Sequence, residues 1–332
     1  CFDELNTTAI TATITQGTSS IPDGTYDITY NLTGAHTGTE TITTTFSAGL
    51  GSFIINGAFI NTIGTTTVNI VSVTNSNSII NCTRLITNLN TTFDIFENPN
   101  ISNSNLSVGN FCLEKTGEAI ISNINSSNIL LSDDRYIITY TITNPNGTTT
   151  TETTNLIITN GNGAFLILDT LTTLVGNYTI TITNIENEAS GCSTIANLTD
   201  TFEVLPLPNG ENMVITIDDV CFGNDVIVSI TEANSLVDGL YNLTYSVYGA
   251  INATNLTENN VSFSSGNATF TLPSGILALG TSSLTISTLN DPGTSCECSL
   301  PLNIIDDFKI NPIPDTTGAV ITANDICISE TE

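Results

Sequence analysis

DGTYDITY, residues Asp23 to Tyr30, returns as DDRYIITY (Asp133 to Tyr140) and again as DGLYNLTY (Asp238 to Tyr245). Tyr26 and Tyr30 thus correspond to Tyr136 and Tyr140, and to Tyr241 and Tyr245. Within each copy alternate positions are apolar, and those between are Thr, Asn or Asp except at Ile137. That period of two describes a strand with one face on a core and the other in water. Thr suits the wet face because its β-branch favours extended backbone and adds no charge. The same alternation fills TETITTTF, YTITITNI and the other Thr-rich runs, and no stretch carries a sustained helical stripe.

Three further landmarks keep step with these copies. Cys1, Cys112, Cys221 and Cys327 recur at spacings of 111, 109 and 106 residues. Phe53, Phe165 and Phe270 follow, each succeeded by a Gly (Gly64, Gly176, Gly280) and another Thr-rich run. Phe93, Phe202 and Phe308 then close each unit, before Asn98-Pro99, Pro206-Leu207-Pro208 and Pro312-Ile313-Pro314. Four landmarks in one order, three times, mark a tandem repeat. Gly, Asn and Asp cluster between the runs as turn signals. A unit near 100 residues with about seven short strands fits an immunoglobulin-like β-sandwich. The expected organisation is all-β: repeat 1 over 1–98 with its first strand missing, repeat 2 over 99–207, repeat 3 over 208–315, and the start of a fourth over 316–332. Proline linkers favour extended spacers, so the expected arrangement is a rod.

Composition narrows the partners. The 332 residues hold 59 Thr and 41 Asn, and 32 acidic residues face 4 basic ones, for a net charge of −28. Binding a phosphate backbone needs Lys and Arg, so nucleic acid is excluded as a partner. No run approaches the ~20 apolar residues of a membrane-spanning helix, so no membrane insertion is expected in this segment. The chain opens at Cys1 without a leader and reads as a piece of a larger exported protein. Like-charged repeats repel one another, which favours an extended form.

Eight cysteines in a chain this polar imply disulfides and an oxidising compartment. Cys82 lies 81 residues after Cys1, and Cys192 lies 80 after Cys112. Spacing to the closing Phe selects Cys298 over Cys296 in the third repeat, since Cys192 and Cys298 both precede that Phe by 10 residues. The expected pairs are therefore Cys1–Cys82, Cys112–Cys192 and Cys221–Cys298. Cys327 is left to an external partner, and Cys296 is left unpaired or bridged to Cys327. Metal thiolate chemistry is the weaker reading, because only Cys296 and Cys298 form a close pair.

Catalytic chemistry finds little footing. The single histidine, His36, sits in GAHTGT without a counterpart in the other repeats and reads as a solvated loop residue. Adjacent carboxylates such as Asp133–Asp134 point to opposite faces of a strand and do not make a paired acid–base site. No catalytic residue is assigned, and the chain reads as non-enzymatic. Calcium is the one cofactor weighed, with Asp218, Asp219, Asp306 and Asp307 near repeat boundaries as weak candidates for its oxygen ligands. The equivalent positions are Gly109 and Asn110 in repeat 2, and Asn324 and Asp325 in the fourth start. That irregularity favours solvated surface acids.

The DG-x-Y-x-x-TY strand, the G-x-F strand, the Thr-rich strand leading to a Cys and the closing F-x-x-x-P-x-P linker together resemble one repeat type. It is that of the immunoglobulin-like repeats of giant Bacteroidota cell-surface adhesins, including the gliding-motility adhesins. The resemblance covers the whole chain. DDRY at Asp133 to Tyr136 departs from DG-x-Y and puts that turn in question. What the resemblance implies is a filament at the outer surface, exported by the type IX route. The expected function is a non-catalytic stalk segment whose partners are neighbouring repeats, with surface polysaccharide or other cell-surface proteins beyond them. The alternatives are a glycan- or protein-binding module and a spacer of a secreted multidomain enzyme.

Overall fold

The computed structural model describes residues 1–2, 10–16, 21–76, 80, 82–123 and 130–323. Its first group of strands is β1 (Ile10–Thr15), β2 (Gly24–Gly34), β3 (Gly38–Phe46), β4 (Leu50–Ile55), β5 (Gly64–Asn75), β6 (Cys82–Leu85) and β7 (Asn90–Ile95). The second is β8 (Ser104–Val108), β9 (Phe111–Cys112), β10 (Gly117–Asn123), β11 (Asp134–Thr143), β12 (Thr149–Ile158), β13 (Gly163–Ile167), β14 (Gly176–Asn187) and β15 (Ser193–Leu205). The third is β16 (Val214–Ile217), β17 (Val220–Cys221), β18 (Ile227–Thr231), β19 (Gly239–Gly249), β20 (Ala253–Phe263), β21 (Ala268–Thr271), β22 (Gly280–Asn290) and β23 (Ser299–Asn311).

Each group builds two sheets. In the second, β13-β10-β8 forms one and β12-β11-β14-β15-β9 the other; the third repeats this as β16-β18-β21 and β17-β23-β22-β19-β20. The first strand of a group serves both sheets. It runs antiparallel in the smaller one (β8 on β10), crosses over, and ends parallel to the last strand (β9 on β15). The first group shows β1-β4 opposite β3-β2-β5-β6, with β7 also on β5. This is an all-β, immunoglobulin-like arrangement. By compactness the chain divides differently, into one unit of Cys1–Gly109, Gly117–Ile167 and Asn177–Phe202 and another of Asn110–Thr116, Leu168–Gly176 and Glu203–Glu332.

The repeated motif fills the sandwich interior. Alternate residues Tyr26, Ile28, Tyr30 and Leu32 of β2 are buried, as are Tyr136, Ile138, Tyr140 and Ile142 of β11. Landmark aromatics meet there: Tyr30 with Phe53 at 5.2 Å between ring centres, Tyr140 with Phe165 at 5.0 Å, and Tyr245 with Phe270 at 5.3 Å. Such pairs add stability beyond the area they bury. The leading tyrosine of each motif needs a partner for its hydroxyl and finds one four residues back. Tyr26 donates to the Pro22 carbonyl at 3.0 Å, Tyr136 to Ser132 at 2.9 Å, and Tyr241 to Val237 at 2.9 Å.

The motif aspartate ties in a neighbouring hairpin. Asp23 accepts from Ala48 N at 2.8 Å, Asp133 from Gly161 N at 3.4 Å and Asp238 from Ser265 N at 2.7 Å. At these hairpins Ala48-Gly49, Asn160-Gly161 and Ser265-Gly266 all adopt positive φ. Two successive positive-φ residues make the tight turn whose twist matches its flanking strands. The DDRY departure is accommodated: Asp134 does not use positive φ, and a Cβ at the matching Gly239 meets nothing nearer than 3.6 Å, although Gly24 of the first copy sits at φ +156°.

Burial pushes five tyrosines of the motif copies up. Tyr30 is pushed to about 12, chiefly by burial, with the Asn56 N–H pulling it back and the bonded Glu40 carboxylate adding to the rise. Tyr136, Tyr140, Tyr241 and Tyr245 are raised in the same direction, first by burial. A tyrosine raised above its unfolded value of ~10 contributes stability that is complete below that pH and is lost as pH climbs through the folded value. Between about pH 10 and 12, tyrosinate absorbance and the loss of β-sheet circular dichroism should therefore rise together. Full tyrosinate formation near pH ~10 with the sheet signal intact would refute this coupling.

Candidate functional site: cysteine joints between repeats

Strand register fixes where each first cysteine stands. Phe2 N donates to Phe96 O at 2.8 Å, Leu113 N to Leu205 O at 2.9 Å, and Phe222 N to Asn311 O at 2.9 Å. In the parallel pairs Cys112 lies opposite Leu205 and Cys221 opposite Asn311. Each first cysteine thus sits beside the terminal residues of its own repeat's last strand. Cys192 and Cys298 stand at the other end, just before β15 and β23 begin. Their turns close alike, Asn187 N donating to Cys192 O at 2.8 Å and Asp291 N to Cys298 O at 2.9 Å.

This overturns the expected pairing. Thirteen residues of chain separate Cys192 from Leu205, roughly 40 Å of strand at about 3.3 Å per residue. A disulfide holds its two Cα atoms within about 7 Å. Cys112–Cys192 and Cys221–Cys298 are therefore not formed, and neither is Cys1–Cys82. The bonds present are Cys1–Cys192, with Cα atoms 5.4 Å apart, and Cys112–Cys298, at 5.5 Å. Each joins the first cysteine of one repeat to the late cysteine of the next, and both ends of each bond fall within one compact unit. They close loops of 191 and 186 residues, for which loop entropy alone predicts about 5 kcal/mol apiece.

The linker is fastened beside the first joint. The Thr194 hydroxyl donates to Pro99 O at 2.7 Å, and Asn98 Nδ2 donates to Phe2 O at 3.3 Å. A cleft of about 720 Å³ opens there, lined by Cys1, Phe2, Asn98, Pro99, Ser193 and Thr194 among others. At the second joint, Cys296 is a free, half-buried thiol whose sulfur lies 3.3 Å from Cys112 Sγ and 3.6 Å from Cys298 Sγ. Burial pushes its thiol up. Among the described residues these three sulfurs form the group compact enough to share an ion, but two of them are bonded to each other. Cys327, and with it a bridge to Cys296, lies outside the described residues. Cys82 and Cys221 are exposed and free.

The four calcium candidates are placed by backbone bonding. Asp306 Oδ2 accepts from Ile217 N at 2.7 Å, and Asp219 Oδ1 accepts from Lys309 N at 2.8 Å. Both bonds fasten the point where the first strand crosses between sheets, from β16 to β17. The preceding repeat repeats them with Asp200 accepting from Val108 N at 2.7 Å and Asn110 accepting from Glu203 N at 2.8 Å. An uncharged amide does at Asn110 what a carboxylate does at Asp219, so the shared need is an acceptor. Asp218 and Asp307 are exposed. Asn324 and Asp325 lie outside the described residues.

His36 is the second correction. It is 1% exposed rather than solvated. Gly34, at φ +109°, turns the chain, and Ala35 N donates to Thr65 O at 2.9 Å, which draws the ring in over Thr66. Nε2 donates to Thr62 O at 2.8 Å and Nδ1 accepts from the Thr66 hydroxyl at 2.6 Å; this tautomer is assigned from the carbonyl partner. The ring stacks on Phe93 with centres 6.1 Å apart. With both nitrogens engaged, its role is structural.

No family model matches the chain, and no curated protein matches it. Among solved structures it is similar to the FN1–FN3 domains of chicken CNTN1, at 11% identity over 91% of this chain and 95% of that one, with a TM-score of 0.39. It is also similar to the Escherichia coli adhesin FdeC, at 15% identity over 87% and 88%, with a TM-score of 0.29. A tetra-tandem repeat from the extending region of a large adhesion protein shares 14% identity over 88% and 67%, with a TM-score of 0.25.

Two outcomes test the site. Peptide mapping under non-reducing conditions should recover Cys1 linked to Cys192 and Cys112 linked to Cys298; intra-repeat links would contradict the register argument. His36→Ala should destabilise the first repeat by about 2–4 kcal/mol, since it empties a buried position and removes the ring's bonds to the Thr66 hydroxyl proton and the Thr62 carbonyl. An unchanged urea midpoint would show that the ring contributes nothing.

Proposed function

We propose that this chain is a non-catalytic stalk segment of a large secreted cell-surface adhesin, of the gliding-motility filament type. The observation that carries the reading is the pair of cysteine joints, each binding the end of one repeat to the next. A binding module gains nothing from such joints, whereas a load-bearing series does. Two compact sandwiches joined by a short linker alone would bend freely; a second covalent tie beside the linker restricts that motion. The Thr- and Asn-rich wet faces keep the series soluble with few charges, nearly all of them acidic. The repeat motif supports a surface filament of the Bacteroidota type. Its partners in this reading are neighbouring repeats and, beyond them, surface polysaccharide or other cell-surface proteins. No helix among the described residues is long and apolar enough to cross a membrane.

The joints also shorten the load path. Pulled from its two ends, the oxidised chain is connected through Cys1–Cys192, back along the backbone to Cys112, and out through Cys298. That path holds roughly a third of the residues, and each adds at most about 3.6 Å when extended. Single-molecule stretching should therefore give a maximum extension about threefold greater after reduction. Equal extensions before and after reduction would defeat the load-bearing reading. Solution scattering of the oxidised chain should show an elongated particle, and a compact profile would remove the stalk.

A further inference from the structure

The two free, exposed cysteines occupy the same two positions as the cysteines already joined. Cys221 matches Cys112 in its backbone setting. Each ends a two-residue strand parallel to the last strand of its repeat. Each is followed by the same backbone bond, Phe222 N to Asn311 O and Leu113 N to Leu205 O. Each carbonyl then closes the next turn, Cys221 O accepting from Asn224 N at 3.1 Å and Cys112 O from Lys115 N at 3.2 Å. Cys82 matches Cys192. It lies opposite Asn75, which in turn lies opposite Tyr26, while Cys192 bonds Asn187, which lies opposite Tyr136.

We infer that Cys82 and Cys221 are complementary halves of further joints of this kind, and that the occupant of each is another repeat of this same type. The late-cysteine half, Cys82, accepts a repeat that presents a first cysteine at the end of its last strand. The first-cysteine half, Cys221, accepts a repeat that presents a late cysteine in the turn before its last strand. Both observed joints obey this rule, and neither pairs like with like. Cys82 and Cys221 are open to a partner: both face solvent, as Cys1 does even within its joint, while Cys112, Cys192 and Cys298 are buried at theirs. Forming the joint bonds the two Sγ atoms. The two thiol protons and two electrons pass to a disulfide oxidant such as oxidised glutathione, which leaves as two thiols.

Since the two halves are complementary, two copies of this chain supply a test. In a Cys327→Ser background, which removes the fourth recurrence of the first cysteine, Cys82→Ser retains only the first-cysteine half and Cys221→Ser only the late-cysteine half; Cys82 and Cys221 are both exposed, so neither change disturbs a core. In a glutathione redox buffer, the mixture of the two variants should form disulfide dimers about tenfold in excess of either variant alone, the discrimination that about 1.4 kcal/mol gives. Peptide mapping of those dimers should return Cys221 linked to Cys82. Dimers formed equally well by each variant alone, or no dimer in the mixture, would overturn the inference. The stalk reading is judged separately by stretching and scattering, so the two can fail independently.

Discussion

Parallel pairing of a two-residue strand with the last strand of its repeat is the constraint on which the rest of this architecture depends. β9 on β15 and β17 on β23 are each held by a few backbone bonds, yet they determine the end of the sandwich at which the first cysteine emerges. A chain that crosses from one sheet to the other must break its ladder at the crossing, and the freed amides need acceptors. Asp306 and Asp219, like Asp200 and Asn110 before them, supply those acceptors. With the crossing fastened, the first cysteine is delivered beside the outgoing linker. The late cysteine of the following repeat lies beside the same linker, and the bond between them follows from proximity.

The interior is organised by a second, independent requirement. Each repeat places a pair of tyrosines four residues apart on the buried face of one strand. A buried hydroxyl without a partner is costly, so each leading tyrosine reaches back to a carbonyl four residues earlier. The hydroxyl of Tyr30 donates to Glu40 at 2.7 Å. These bonds pin the start of the strand, while the ring of the second tyrosine packs against a landmark phenylalanine. Side-chain packing and backbone capping thus act on the same few residues, which explains why the motif survives so intact among otherwise divergent copies.

Much of this was legible from residue order. Period-two alternation gave the strands, and the recurring Tyr and Phe positions gave the core, because burial imposes a strict parity on a strand. The cysteine pairing was misread because equal spacing along the chain says nothing about which end of a sandwich a residue occupies. The clue was nonetheless present: a cysteine ten residues before the closing Phe must stand about a strand's length from the terminus where that strand ends. His36 was misread for a different reason. A lone polar residue between glycines looks solvated, and only the long-range bond from Ala35 to Thr65 brings the ring inside. Asp219 and Asp306 read as solvated surface acids, whereas each accepts from a backbone amide distant in sequence.

The two joints overlap, since Cys112 lies inside the loop closed by Cys1–Cys192 and that loop's end lies inside the one closed by Cys112–Cys298. A protease that cuts the backbone once, anywhere between Cys1 and Cys298, leaves both fragments covalently attached. At a surface exposed to foreign hydrolases, such a chain would tolerate nicks in its turns without shedding what it carries. Release would require three cuts, one in each of the stretches between Cys1, Cys112, Cys192 and Cys298, or a reductant.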